Sequence, residues 1–340
     1  MRSNVEAEPK SADGATTGEA LLEVRDLRTY FERPGGDIKA VDGLSYRLQR
    51  GRALGIVGES GSGKSVGVRS LLGLQPRGAR IVSGEAWFGG RDLLAMSAAQ
   101  LRQVRGKDIS MVFQNAMDAL NPTLTLVQQI SEPLLWHGIC GKSEARTRAI
   151  AALDSVGIPE PERRVDMYSF QLSGGMRQRA MIAAAIVTNP SLIIADEPTT
   201  AVDVTVQRQI LSLLRALKDA GSAVIMITHD LGVARYFCDD IVVMYGGKMM
   251  ERASIKEFMA APKHPYSQAL LGSTLVIGDR RDRLTPIPGA PPDLSRLPAG
   301  CPFHPRCGQM QDADACREPQ QLISLGAGSE AACWRVGDER

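Results

Sequence analysis

Eight consecutive residues, Gly58-Glu59-Ser60-Gly61-Ser62-Gly63-Lys64-Ser65, carry the most specific chemistry in the chain. They fit the pattern G-x-x-x-x-G-K-[ST] and lie between an apolar run (ALGIV, 53–57) and a stretch with Val68, Leu71 and Leu72 at helical spacing. Such a strand–turn–helix context is what a phosphate cradle requires. The glycines let the backbone fold into a nest of N–H groups around phosphate oxygens, and the helix N-terminus adds a favourable dipole. Lys64 supplies positive charge to the outer phosphates of a nucleoside triphosphate such as ATP, and the Ser65 hydroxyl suits Mg²⁺. A metal carboxylate is expected at the end of a neighbouring buried strand, and Leu192-Ile-Ile-Ala195-Asp196-Glu197 supplies it. Asp196 would orient Mg²⁺ through its water shell, and Glu197 is placed to polarise an attacking water. Together the two segments predict nucleoside triphosphate hydrolysis.

The elements that must hold these groups follow from the pattern around them. Residues 21–31 and 41–48, separated by a Pro-Gly-Gly turn at 34–36, read as antiparallel strands. Further strand candidates are 81–88 and 108–113. From Thr123 to about Asn189 the composition turns helical, after which strand and helix alternate through 192–195, 204–220, 223–228, 231–237 and 241–245. That alternation predicts an α/β core with a largely parallel sheet, interrupted by a helical insertion. Beyond about Ala261, closely spaced prolines mark a loop-rich tail that holds four of the six cysteines.

A third segment, Leu172-Ser173-Gly174-Gly175-Met176, opens an apolar helix and forms a second anion site of N–H groups, hydroxyl and dipole. One chain cannot easily wrap two such sites around one γ-phosphate, so two subunits facing each other are expected. Here the sequence resembles the ATP-binding-cassette family over roughly residues 21–260. Its signature is usually written LSGGQ; Met176 departs at the last position, as in the oligopeptide-importer branch. The resemblance implies a P-loop ABC-type nucleotide-binding domain with a RecA-like core, an antiparallel β subdomain and a helical insertion at 115–180. It also implies residue roles. Gln114 matches the Q-loop glutamine that meets metal and water, Thr200-Ala-Val-Asp203 the D-loop (Val202 standing where Leu is commoner), and His229 the switch histidine that contacts the γ-phosphate. Phe31 matches the aromatic position that stacks on adenine, with Tyr30 beside it as the alternative. Glu197 and His229 are both present, so a hydrolytically competent site is expected.

His264-Pro-Tyr-Ser-Gln-Ala-Leu-Leu271 resembles the segment that opens the C-terminal extension (261–340) of oligopeptide and dipeptide importer ATPases, and Cys301, Cys307, Cys316 and Cys333 fall in that extension. Their spacing does not fit the paired C-x₂-C of a zinc ribbon. The resemblance implies a [4Fe–4S] cluster on these four cysteines, with zinc or free thiols as the alternatives. His304 lies between two of them, and its flanking prolines mark it as a turn residue. Cys140 and Cys238 fall outside the set and read as packing residues.

Composition sets the outer bounds. Residues 1–20 are small and polar and read as a disordered leader without the apolar core of a signal peptide. The longest uninterrupted apolar run is eight residues (180–187), where a membrane helix needs about twenty. Forty basic against thirty-eight acidic residues leave a net charge of +2, too little surplus for a nucleic-acid partner. These features predict a soluble chain at the cytoplasmic face of a membrane, acting through partners. The leading reading is the ATPase of a di/oligopeptide importer. It would pair with a second cassette or a copy of itself, with two permeases docked on 115–180 and a separate extracytoplasmic solute-binding protein. Alternatives are an importer for glutathione, an opine-like compound or an oligosaccharide, an exporter ATPase, and a non-transport cassette acting on nucleic acid or ribosomes.

Overall fold

The computed structural model describes residues 20–199, 203–274, 285–310, 313–326 and 328–338. The predicted leader, except its last residue, and residues 200–202 of the predicted D-loop lie outside them.

Continuous apolar runs, rather than alternating ones, mark strands covered on both faces. Four such runs are buried throughout: β3 (Ala53–Val57), β6 (Ile109–Val112), β7 (Leu192–Asp196) and β8 (Ala223–Ile227). With β9 (Asp240–Tyr245), buried beyond its first residue, they form a parallel sheet in the order β9-β3-β8-β7-β6. The register sets Ile56 and Asp196 each opposite Ile227, and Val112 opposite Ala195. The carboxyl ends of four adjacent strands are therefore level. In an open α/β sheet that edge is where ligands bind.

A second, four-stranded antiparallel sheet runs β2-β1-β4-β5, from β1 (Leu22–Phe31), β2 (Ile38–Leu48), β4 (Ala79–Phe88) and β5 (Arg91–Asp92). Its buried side, with Leu22, Leu27, Leu44 and Tyr46, shares an apolar cluster with Ile56 of β3 and with Val68 and Leu71 of α1 (Lys64–Leu71). Next come α2 (Ala98–Val104), opened by a Ser97–Gln100 capping box, and α3 (Ala116–Ala119). The helical stretch continues with α4 (Leu126–Trp136), α5 (Lys142–Ser155), α6 (Pro161–Arg164) and α7 (Gly174–Ile186). Leu126, Ile130 and Leu134 recur at helical spacing on α4 and join Ala145, Ala149 and Leu153 of α5 in the cluster that reaches α7. The remaining core helices are α8 (Val204–Asp219), α9 (Leu231–Phe237), α10 (Ile255–Ala260) and α11 (Pro265–Gly272).

The tail is more than loop. Antiparallel β10 (Lys248–Ser254) pairs with β9 and with β12 (Ser329–Ala331), and β12 with β11 (Ile323–Gly326), so β10 and the two strands of the extension bring the core sheet to eight. Two short helices, α12 (Ala313–Arg317) and α13 (Arg335–Asp338), complete it. Strands of three and four residues are too short to show a period, which is why the tail reads as loop in sequence. No helix among the described residues is long and apolar enough to cross a membrane.

Candidate nucleotide site

The glycine turn after β3 takes its shape from what a side chain would strike. Gly58 has φ +147°, and a Cβ there would lie 2.1 Å from the Met244 carbonyl; Gly63 has φ +99°, and its Cβ would lie 2.1 Å from the Ala40 carbonyl. Only glycine fits both positions. Gly63 also forms the N-terminal boundary of α1 in a left-handed conformation. Lys64 folds back over this turn, donating to the carbonyls of Gly58 (2.7 Å) and Glu59 (2.8 Å) and to Ser62 Oγ (3.3 Å). Burial pushes its pKa down, while the Glu197, Asp196 and Glu59 carboxylates act in the other direction. A desolvated cation spending its donors on main-chain oxygens is ready to exchange them for phosphate oxygens. Ser60 and Gly61 complete the turn, with Gly61 at φ +77°.

Ser65 Oγ donates to Asp196 Oδ1 at 2.8 Å, and Arg69 to Asp196 Oδ2 at 3.1 Å. Asp196 is fully buried at the end of β7, so its charge has two partners and no water. A hydroxyl and a carboxylate this close are hard oxygen donors of the kind that Mg²⁺ prefers, and they fit that metal. One residue on, Glu197 has φ +50°, unusual for a residue with a side chain and costing of order 1–3 kcal/mol. The loop is pinned by Glu197 N–H donating to the Ile227 carbonyl (3.0 Å) and by the buried Gln178 amide donating to the Pro198 carbonyl (3.0 Å). Gln114, after β6, donates to Glu197 Oε2 at 3.1 Å, and His229 Nδ1, after β8, lies 3.5 Å from Glu197 Oε1. Lys64, Ser65, Gln114, Asp196, Glu197 and His229, predicted from four separate segments, are thus brought to one edge.

The signature turn stands apart. Ser173 Oγ accepts from Met176 N–H at 3.3 Å and caps α7, while Ser173 and Gly174 are exposed. Met176, the departure from the usual signature, accepts at sulfur from Arg164 (3.7 Å). Among the described residues, no hydrogen bond joins Ser173, Gly174 or Gly175 to the glycine turn of the same chain. Asp203 caps α8 by accepting from Val206 N–H (2.9 Å). Tyr30 is buried, and its hydroxyl donates to Asp42 Oδ1 at 2.7 Å; the adjacent Phe31 is only half-buried at the end of β1.

Cys301, Cys307, Cys316 and Cys333 line one cavity of about 20 Å³ together with His264 and Trp334. All four are free thiols, and Trp334 Nε1–H donates to Cys316 Sγ at 3.3 Å. Burial pushes the Cys301 thiol up to about 12 and those of Cys307 and Cys333 upward as well, which favours neutral thiols. Four cysteines are the donor set of an iron–sulfur cluster. The cavity, however, admits about one water. No group of three or more His, Cys, Asp or Glu among the described residues is placed to hold a metal ion. The residues match the cluster in chemistry but not in spacing.

Several functional contacts lie outside any motif. Arg69 reaches Asp196 across 127 positions, Gln178 reaches Pro198, and the buried Glu251 accepts from the N–H groups of Lys263 (2.9 Å) and His264 (2.8 Å). An acidic residue inside the apolar-flanked β10 pattern is the one signal that could have flagged Glu251.

Comparison with known proteins agrees with this geometry. An ABC transporter family model matches residues 41–200, and a model of the oligopeptide/dipeptide transporter C-terminal region matches residues 250–316. The chain is 45% identical over 320 residues to the oligopeptide transport ATP-binding protein OppD of Salmonella typhimurium, covering 94% of this chain and 95% of that one. It is 47% identical over 291 residues to the dipeptide transport ATP-binding protein DppD of Bacillus subtilis, covering 85% and 87%. Among solved structures, a post-hydrolysis dimer of the ATP-binding cassette MJ0796 bound to ADP and Pi superposes with a TM-score of 0.63 at 29% identity, covering 69% of this chain and 98% of that one. With both halves of its sequence matched and these identities spread over most of its length, the chain belongs to the ATP-binding proteins of the oligopeptide/dipeptide ABC transporter family.

Proposed function

We propose that this ABC ATPase powers the uptake of di- and oligopeptides. The observation that carries the ATPase reading is the convergence of Lys64, Ser65, Gln114, Asp196, Glu197 and His229 on one sheet edge, and the similarity to peptide transport ATP-binding proteins supports the solute. Lys64 and the N–H groups of the 58–65 turn bind the outer phosphates, and the half-buried Phe31 ring takes the adenine, since Tyr30 is tied to Asp42. Ser65 and Asp196 would hold Mg²⁺, which would supply neutralisation of charge on the phosphate oxygens. Glu197 polarises the attacking water, and Gln114 and His229 fix the carboxylate's direction. The catalysis is positional and electrostatic, with no covalent intermediate on the protein.

The exposed Ser173 and Gly174 support completion of the site by a second cassette, identical or related, which would also meet Asp203. In this reading the chain works at the cytoplasmic face of the membrane. Two permeases dock on 115–180, within a cassette of 21–260 followed by the extension, and an extracytoplasmic protein delivers solute. The four extension cysteines supply the donor set of a [4Fe–4S] cluster, but holding one would need them spaced more widely than they are here. Iron and sulfide analysis of anaerobically purified protein tests this: about four irons per chain supports the cluster, and iron-free protein with full activity contradicts it.

Uptake of labelled di- and oligopeptides by cells whose only copy carries Lys64→Ala tests the main reading. Lost uptake at normal protein level is expected. Unchanged uptake would remove peptide as the solute and leave another importer substrate.

A further inference from the structure

The first side chain of the phosphate cradle is held by the extension. Glu59, next to Gly58, is engaged by Arg306, whose two terminal nitrogens reach the two carboxylate oxygens at 2.6 and 3.1 Å. The Glu59 N–H donates to the Tyr266 hydroxyl at 2.9 Å. Side chain and main chain of one loop residue are thus both tied to residues more than 200 positions away. The Arg306 side chain is 7% exposed and further donates to the Pro288 carbonyl (2.7 Å) and the Tyr245 hydroxyl (2.9 Å), so its fork is fixed before it meets Glu59.

Arg306 sits in a rigid knot. It closes the 3₁₀ turn His304–Arg306, in which His304 N–H donates to the Cys301 carbonyl and Cys307 N–H to the His304 carbonyl. Cys301 N–H in turn donates to the Cys316 carbonyl. Tyr266 comes from α11 and packs its ring against Tyr245 and Phe303, with centroids 4.5 and 5.2 Å away. A carboxylate at this place is a liability for a site that binds a polyanion, since it repels phosphate and competes for Lys64. A bidentate guanidinium cancels that charge and fixes its direction.

We propose that Arg306 is a positioning residue of the nucleotide site: by neutralising Glu59, and with Tyr266 holding the start of the cradle, it makes ATP affinity depend on the extension. The inference rests on the 58–65 turn binding ATP.

The test uses the full chain with its transporter partners, measuring KM for ATP and kcat. Arg306→Gln is expected to raise KM about tenfold with kcat within about twofold, because Glu59 then keeps an uncompensated charge. Arg306→Lys, which keeps the charge and loses the fork, is expected to raise KM less. The deciding variant is Glu59→Gln with Arg306→Gln, which should bring KM back toward the unsubstituted value. A merely structural arginine would give no such rescue. Unchanged KM in Arg306→Gln, or a double variant no better than the single, overturns the proposal. Should Arg306→Gln fail to fold, Arg306→Lys decides, a raised KM with kcat within about twofold supporting the proposal and an unchanged KM refuting it. Lys64→Ala run alongside keeps the two readings apart: its loss of ATP binding upholds the cradle whatever Arg306 does.

Discussion

Around the strand-end site, the polar side chains hold one another or their own loop through contacts that a ligand can replace, whereas where the core sheet meets the extension they are sealed. Gln114 and His229 both turn to Glu197, and the His229 side chain is 66% exposed. Lys64 occupies carbonyls of its own loop. By contrast Glu251, His264 and Tyr266 are buried with partners fixed by the main chain. Groups of the first kind can trade partners when ligand arrives. Those of the second would leave a buried donor or acceptor stranded if they moved. Substitutions should therefore change turnover in one region and stability in the other.

Among the substitutions that test this contrast, the largest effect is expected at His229. His229→Ala should lower steady-state ATP hydrolysis about 100-fold, with a melting temperature close to that of the unsubstituted protein. A loss below threefold, or a large drop in melting temperature, would break the contrast. Next comes Glu251→Ala, which strands the N–H groups of Lys263 and His264. It should cost about 2 kcal/mol and lower the melting temperature by roughly 5 °C; no shift in calorimetry would contradict sealed pairing.

His264 sharpens the same point through pH. Its Nδ1 accepts from Tyr266 N–H at 3.0 Å, and burial holds its pKa at about 3, down from 6.5. The unfolded chain takes up this proton below about 6.5 and the folded chain does not. The contribution to stability is therefore complete above 6.5 and is lost as the pH falls toward 3, at about 1.4 kcal/mol per unit. Melting curves between pH 6.5 and 5.5 should show a slope that shrinks in His264→Asn, which keeps a capping acceptor that does not titrate. An equal slope in both would place the proton elsewhere. The smallest effect is expected from Ser254→Ala, which removes the cap of α10 and should cost about 1 kcal/mol without altering hydrolysis.

How much of this was legible in sequence depends on where the chemistry sits. The phosphate cradle and the Asp196–Glu197 pair are contiguous because one strand and one turn build each of them, so residue type and spacing suffice. Gln114 and His229 were named by the family resemblance, supported by their order along the chain, and the parallel sheet by the alternation of strand and helix. Arg306 was not, since the partner that gives it meaning is 247 residues away. Gln178 stood in view after the signature, yet nothing local says that its amide reaches Pro198. The proposal of Phe31 rather than Tyr30 for adenine is supported by a single hydroxyl contact, from Tyr30 to Asp42, which no local pattern announces. The four extension cysteines do line one cavity, while their spacing falls short of the cluster that the resemblance implied.

The central claim is that Glu197, oriented by Gln114 and His229, activates water at an ATP site held by Lys64 and Asp196. Its most direct test is ATP binding and hydrolysis by Glu197→Gln, measured on the same purified preparation. We predict ATP binding within a few-fold of the unsubstituted protein and hydrolysis reduced about 100-fold or more. Near-normal hydrolysis would contradict the account by removing Glu197 from the reaction.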